Sequence, residues 1–129
     1  MSVREADRNV GNYAAVTAAK QLCEHTQQVT DNRKWFPESH PLTWHLQEKA
    51  LSIYARLIEA GELRGDNVRD RETRRQAKRM AAAECRSLLA LVDLARIRFS
   101  FPAKRAQYWA RMIRETRTSI ITWLQTEAR

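Results

Sequence analysis

The sequence predicts an all-α protein, an antiparallel up-and-down four-helix bundle. Three observations point there. Only three Gly and three Pro occur in 129 residues, too few for a many-turned β fold. Apolar residues recur every three or four positions along four long stretches. The breaks between them are short, and long amphipathic helices on short connections bury their stripes by packing antiparallel. The length is that of one domain, 1–129.

The first helix is expected over 9–30, with Ala15, Ala18, Leu22 and Val29 as a thin, Ala-heavy stripe that predicts loose packing. A connection with Trp35, Phe36 and Pro37 follows. Ser39 is the expected cap of the second helix, 41–60, with Pro41 in a first turn where a missing N–H costs nothing and Gly61 as its stop. Leu42, Leu46, Ala50, Ile53 and Leu57 form its core stripe. Trp44, Leu51 and Ile58 form a second apolar line on nearly the opposite side. Either the neighbouring helices and the Trp35–Phe36 connection cover that line, or it seats another subunit, since a monomer's surface helix should not be apolar on two sides. The third helix is expected over 70–98, capped by Asp70, with Ala77, Ala81, Cys85, Leu88, Val92, Ala95 and Phe99 inward. The fourth, 102–128, takes Ser100 as cap and buries Ala106, Trp109, Ile113, Thr116, Ile120 and Leu124.

The charge is +8, and it is unevenly placed. Residues 1–61 carry 7 Lys/Arg against 7 Asp/Glu, whereas 62–129 carry 16 against 8. Eighteen of the cations are Arg, whose planar fork pairs with phosphate bidentately and stacks on bases. Uncompensated like charge costs self-repulsion, so a polyanion is the natural partner. Nucleic acid is the expected ligand, held by Arg64, Arg69, Arg71, Arg75, Lys78, Arg79, Arg86, Lys104, Arg111 and Arg114. Six to ten phosphate contacts would make affinity fall ~10³–10⁵-fold between 50 and 200 mM salt. No helix-turn-helix, zinc-finger or RRM signature appears, so backbone-dominated binding is expected. The alternative is an adaptor or inhibitor whose basic face docks an acidic protein. Membrane attachment is not expected, because the cationic faces lack an adjoining exposed Trp, Phe or Leu face.

Catalysis is not expected. His25, His40, His45, Cys23 and Cys85 are the available reactive groups, and no nucleophile–base–orienter pattern joins them. His45 and Glu48 have ligand spacing, but no second pair on another helix answers them. No Gly-rich phosphate loop is present, and no cofactor is expected. Glu84 is expected to pair with an Arg at the bundle boundary. The two cysteines, 62 positions apart, fit a reducing compartment. The opening MSVREADRNV lacks a signal-peptide core, so a cytoplasmic location is expected.

The WFP connection (Trp35–Pro37), LSIYARLIEAG closing at Gly61, AAAECRSLLALVDLA and RETRTSIITWL together resemble the four-helix-bundle family of the Avd proteins. These are the accessory variability determinants of diversity-generating retroelements, a family that includes proteins encoded in ribosomal-RNA intervening sequences. The resemblance implies a non-enzymatic homo-oligomer, pentameric in the Avd group. It also implies a reverse transcriptase partner and binding to the retroelement's RNA or DNA in support of mutagenic cDNA synthesis. The Trp44, Leu51 and Ile58 line would then be the oligomer interface.

Overall fold

The computed structural model describes the backbone of residues 5–63, 65 and 67–127, and the side chains of 12–126 within that span. Among the described residues the chain forms α1 (Glu5–Thr30), α2 (Pro41–Glu62), α3 (Val68–Phe99) and α4 (Ala103–Glu127). Contacts run from α1 to α2, α2 to α3, α3 to α4, and from α4 back to α1. The helices therefore form a ring in chain order, an up-and-down bundle with the α1/α2 pair across the core from the α3/α4 pair.

Helix ends differ in detail from the sequence expectations. His40, not Ser39, caps α2: its Nδ1 accepts from the Leu42 amide at 3.1 Å. Asn67, not Asp70, caps α3, its side-chain oxygen accepting the Asp70 amide at 2.8 Å. Asp70 then lies in the first turn, where its charge favours the helix dipole. Ser100 closes α3 rather than opening α4. It is left-handed (φ 55°) and donates its N–H to the Arg96 carbonyl at 2.9 Å. The Pro102 carbonyl takes the first amides of α4, from Arg105 and Ala106.

Gly61 does not stop α2, which runs on to Glu62. A Cβ at Gly61 would meet the Asn12 side chain at 3.0 Å, so the glycine lets α1 approach α2.

The thin α1 stripe packs tightly. Ala15, Ala19 and Leu22 are fully buried, because small residues bring backbones close. Ala18, expected inward, is half-buried, and Ala19 takes its place. Trp123 is buried on α4, with Leu124 half-buried beside it. Thr26 accepts the indole N–H of Trp109 at 3.1 Å inside the core.

Phe36 plugs one end of the bundle, fully buried against Phe99, Phe101 and Trp109 at centroid distances of 5.4, 5.0 and 6.2 Å. Burying a Phe side chain contributes ~1.5–3 kcal/mol before the edge-to-face term. Trp35 lies half-buried beneath the Arg105 guanidinium, 5.2 Å from its ring centroid. Thus the connection closes an end and leaves the second apolar line of α2 uncovered.

Candidate nucleic-acid interface

The ten expected cations do not form one surface. Arg64 lies outside the described residues. Arg86, Arg111 and Arg114 line a groove of about 1090 Å³ on the α3/α4 side, joined there by Arg96. The groove also receives Ala90, Ala106 and Ala110. Alternating turns of two antiparallel helices bring these Arg together, and the small alanines leave the concavity between them. Asp93 and Glu115 are the acids lining it. None of the four guanidiniums makes an ion pair within 4.0 Å among the described residues. They are exposed and uncommitted.

Arg75 and Arg79 line a smaller hollow of about 520 Å³ with Arg56, Glu59, Glu72 and Met80. There the charge is partly spent: Arg56 donates its Nε–H to Glu84 at 2.7 Å. This is the expected boundary pair of Glu84. Arg69 is exposed in the first turn of α3, and Lys104 is exposed at the start of α4. Arg71 is exposed but tied down, its Nη1 donating to the Gly65 carbonyl at 3.1 Å.

Lys78 is a correction. It is 0% exposed, with its ammonium 3.8 Å from the centroid of the Trp123 ring. The helical wheel places it beside the core stripe. Ala77, Ala81 and Ala82 around it are small, so the long stem fills the space they leave instead of reaching solvent. A ring face then receives the charge. Lys78 cannot meet a phosphate from there.

Arg74, which lies on the Ala77–Ala81 line, is the buried cation that sequence reasoning missed. Its Nη1 donates to the Leu63 carbonyl at 2.8 Å, tying the α2–α3 connection to α3. Gly65 makes room for it. The glycine has φ +75°, and a Cβ there would lie 2.7 Å from Arg74 Nη2. The signal available was the i, i+3, i+7 spacing of Arg74, Ala77 and Ala81, which puts Arg74 on the buried stripe. Arg96, which lines the groove without being among the ten expected cations, is one helical turn beyond Val92 on the same helix.

The remaining reactive groups are dispersed. Burial pushes the Cys85 thiol up to about 12, with Arg117 opposing and Glu84 adding to the shift. Burial likewise raises Cys23 to about 11, with Glu24 adding to it, and its thiol donates to the Ala50 carbonyl. Both thiols are free and poor nucleophiles in this state. Burial, then Arg105, lowers the His25 pKa. His25 packs on Tyr108 and Trp109. His45 is exposed and packs edge-on to Trp44. Among the described residues no cluster of three His, Cys, Asp or Glu side chains could hold a metal ion.

Among the described residues, two groups of exposed apolar side chains bear on docking. Trp44, Leu51 and Ile58 on α2 are 57, 58 and 39% accessible. The second was not expected: Leu94 and Ile97 on α3 are 52 and 73% accessible, beside Arg96 and Arg98. The cationic half therefore does carry exposed apolar surface of its own. Among the described residues no helix is long and apolar enough to cross a membrane. No family model, curated protein or solved structure matches this chain.

Proposed function

We propose that the protein is a non-catalytic accessory factor that holds nucleic acid by its phosphate backbone in the α3/α4 groove. The observation that carries this is the convergence of Arg86, Arg96, Arg111 and Arg114 on one concave surface with no ion pair among the described residues. The groove lining includes no aromatic side chain, so bases have no stacking platform there. Binding by this groove positions the strand without reading its sequence.

The groove also sharpens the expected salt dependence. Four phosphate contacts at about 0.9 each give a log–log slope near −3.6, a loss of only ~10²-fold between 50 and 200 mM salt. The test is a salt titration of a labelled duplex on the wild type and on the Arg86→Gln/Arg96→Gln/Arg111→Gln/Arg114→Gln variant. Loss of binding and of the slope in the variant is expected. Binding indifferent to salt, or a variant that keeps the slope, refutes the proposal.

The resemblance of the WFP connection and the three helical stretches to the Avd proteins extends this proposal. A reverse transcriptase is the proposed protein partner, and the setting is retroelement cDNA synthesis. Homo-oligomerisation through Trp44, Leu51 and Ile58 is proposed with it. Copies joined there would leave the groove free, since α1/α2 and α3/α4 lie on opposite sides of the bundle.

A further inference from the structure

Opposite its buried face, α3 carries a second periodic line. Met80, Ala83, Ser87, Ala90, Leu94 and Ile97 alternate steps of three and four residues, and all six are exposed. That is a strict heptad seam, the spacing by which one helix seats another. It spans about 25 Å at 1.5 Å per residue. Its middle is small, and Met80 at one end with Leu94 and Ile97 at the other are large. A helix laid along it could approach closely at Ala83, Ser87 and Ala90 and be gripped at both ends.

The flanks decide what kind of helix fits. Arg79, Arg86 and Asp93 border one side of the seam, and Glu84, Leu91 and Arg98 the other. Glu84 is already committed to Arg56 at 2.7 Å. The charge left exposed is therefore three guanidiniums and the Asp93 carboxylate. A second copy of this chain laid on the seam would double that imbalance and bring like charges together, which is penalised at such flanking positions. A membrane surface needs a broad face of large apolar residues, and this seam is narrow with Ala and Ser at its centre.

We infer that the outer face of α3 is a docking site for an amphipathic helix of another protein, one whose apolar seam is flanked by Asp or Glu. This inference is testable apart from the nucleic-acid proposal through Leu94 and Ile97, which do not line the basic groove, although Arg86, Ala90 and Asp93 border both surfaces. Packing of the seam supplies the contact area, and the Arg79, Arg86 and Arg98 flanks select the acidic partner and set its direction.

The probe is a synthetic helical peptide of about 21 residues with Leu and Ala at its seam positions and Glu at the flanks, followed by fluorescence polarisation. A second peptide carries Lys at the same flanks. The Glu peptide should bind and the Lys peptide should not. Leu94→Ser/Ile97→Ser should weaken the Glu peptide at least tenfold and leave duplex binding unchanged. Both positions are exposed, so the variant should retain its helical circular dichroism. Equal binding of the two peptides, or equal binding by the double variant, overturns the inference. So does wild-type self-association in sedimentation that the double variant abolishes, which would assign the seam to a second copy. Co-sedimentation with phosphatidylserine vesicles that the double variant abolishes would assign it to a lipid surface and equally overturn the inference.

Discussion

Lys78 tests whether charge on α3 serves stability or ligand binding. Changing Lys78→Ala removes three methylenes from a fully buried position, a loss of about 2.4 kcal/mol at about 0.8 per CH₂. It also removes an ammonium held 3.8 Å from the Trp123 centroid, a contact contributing about 2 kcal/mol when desolvated. Together these amount to about 4 kcal/mol, a large share of the ~5–15 kcal/mol that holds a domain of this kind. An exposed lysine would cost no more than about 0.5 kcal/mol. Urea unfolding followed by helical circular dichroism separates the two. With a slope of about 2 kcal/mol/M the midpoint should fall by about 2 M. Lys78→Met retains the stem and loses only the charge, so its midpoint should lie between those of Lys78→Ala and the wild type. Its duplex affinity and salt slope should equal the wild type's. A destabilisation below about 1 kcal/mol in Lys78→Ala, or a flattened salt slope in Lys78→Met, would refute the buried assignment.

Four further outcomes follow from local geometry. Gly65→Ala should destabilise by about 1–2 kcal/mol or more in the same urea assay, since the left-handed backbone penalises a Cβ and Arg74 Nη2 lies 2.7 Å from where it would be. Gly61→Ala should cost less, because the crowding atom is the end of the Asn12 side chain and Ala gains helix propensity. For His25, whose pKa is lowered by burial and Arg105, the unfolded chain binds the proton more readily. Its stabilising contribution is present above the unfolded-state value and is lost as the pH falls through the folded-state one. The urea midpoint should therefore drop between about pH 7 and pH 5, and His25→Asn should reduce that drop. Finally, Leu51→Glu should shift the protein toward monomer in light scattering while retaining its helicity. An unchanged mass would remove the α2 line as an oligomer interface.

The helices were legible because periodicity over more than twenty residues averages out local noise. Their ends were not, for a specific reason. Asn67 and Asp70 are near-equivalent caps in sequence, and Ser39 is a commoner cap type than His40, so only the local backbone selects the residue that caps. The core of α1 shifted from Ala18 to Ala19 for a related reason, since adjacent alanines carry little directional signal. The basic site was legible as composition and illegible as geometry. A wheel gives the direction of each Arg on its own helix, but not which directions from α3 and α4 meet, so it neither brings Arg96 to the groove nor shows that Lys78 is buried. Depth depends on the size of the neighbours, and the alanines at 77, 81 and 82 decide that for Lys78.

The outer seam of α3 shows a different way for a signal to hide. In a helix this rich in arginine, Ala83, Ser87 and Ala90 look like spacers between charges. Only the buried register fixed by Ala81, Cys85, Leu88 and Val92 shows that they share a line with Met80, Leu94 and Ile97. Once that register is fixed, α3 has three distinct sides: a core side, a groove side ending at Arg86 and Arg96, and the outer seam. Arg86 borders both of the latter. An acidic helix on the seam and a phosphate backbone in the groove would therefore compete for one guanidinium, with Ala90 and Asp93 also bordering both surfaces. Their coupling should be negative but modest, because a single shared guanidinium carries only about one unit of the salt slope. Titrating the Glu-flanked peptide into the protein–duplex complex should weaken duplex binding by less than about tenfold, and Arg86→Gln should abolish the effect. Full displacement would mean that the two surfaces are one.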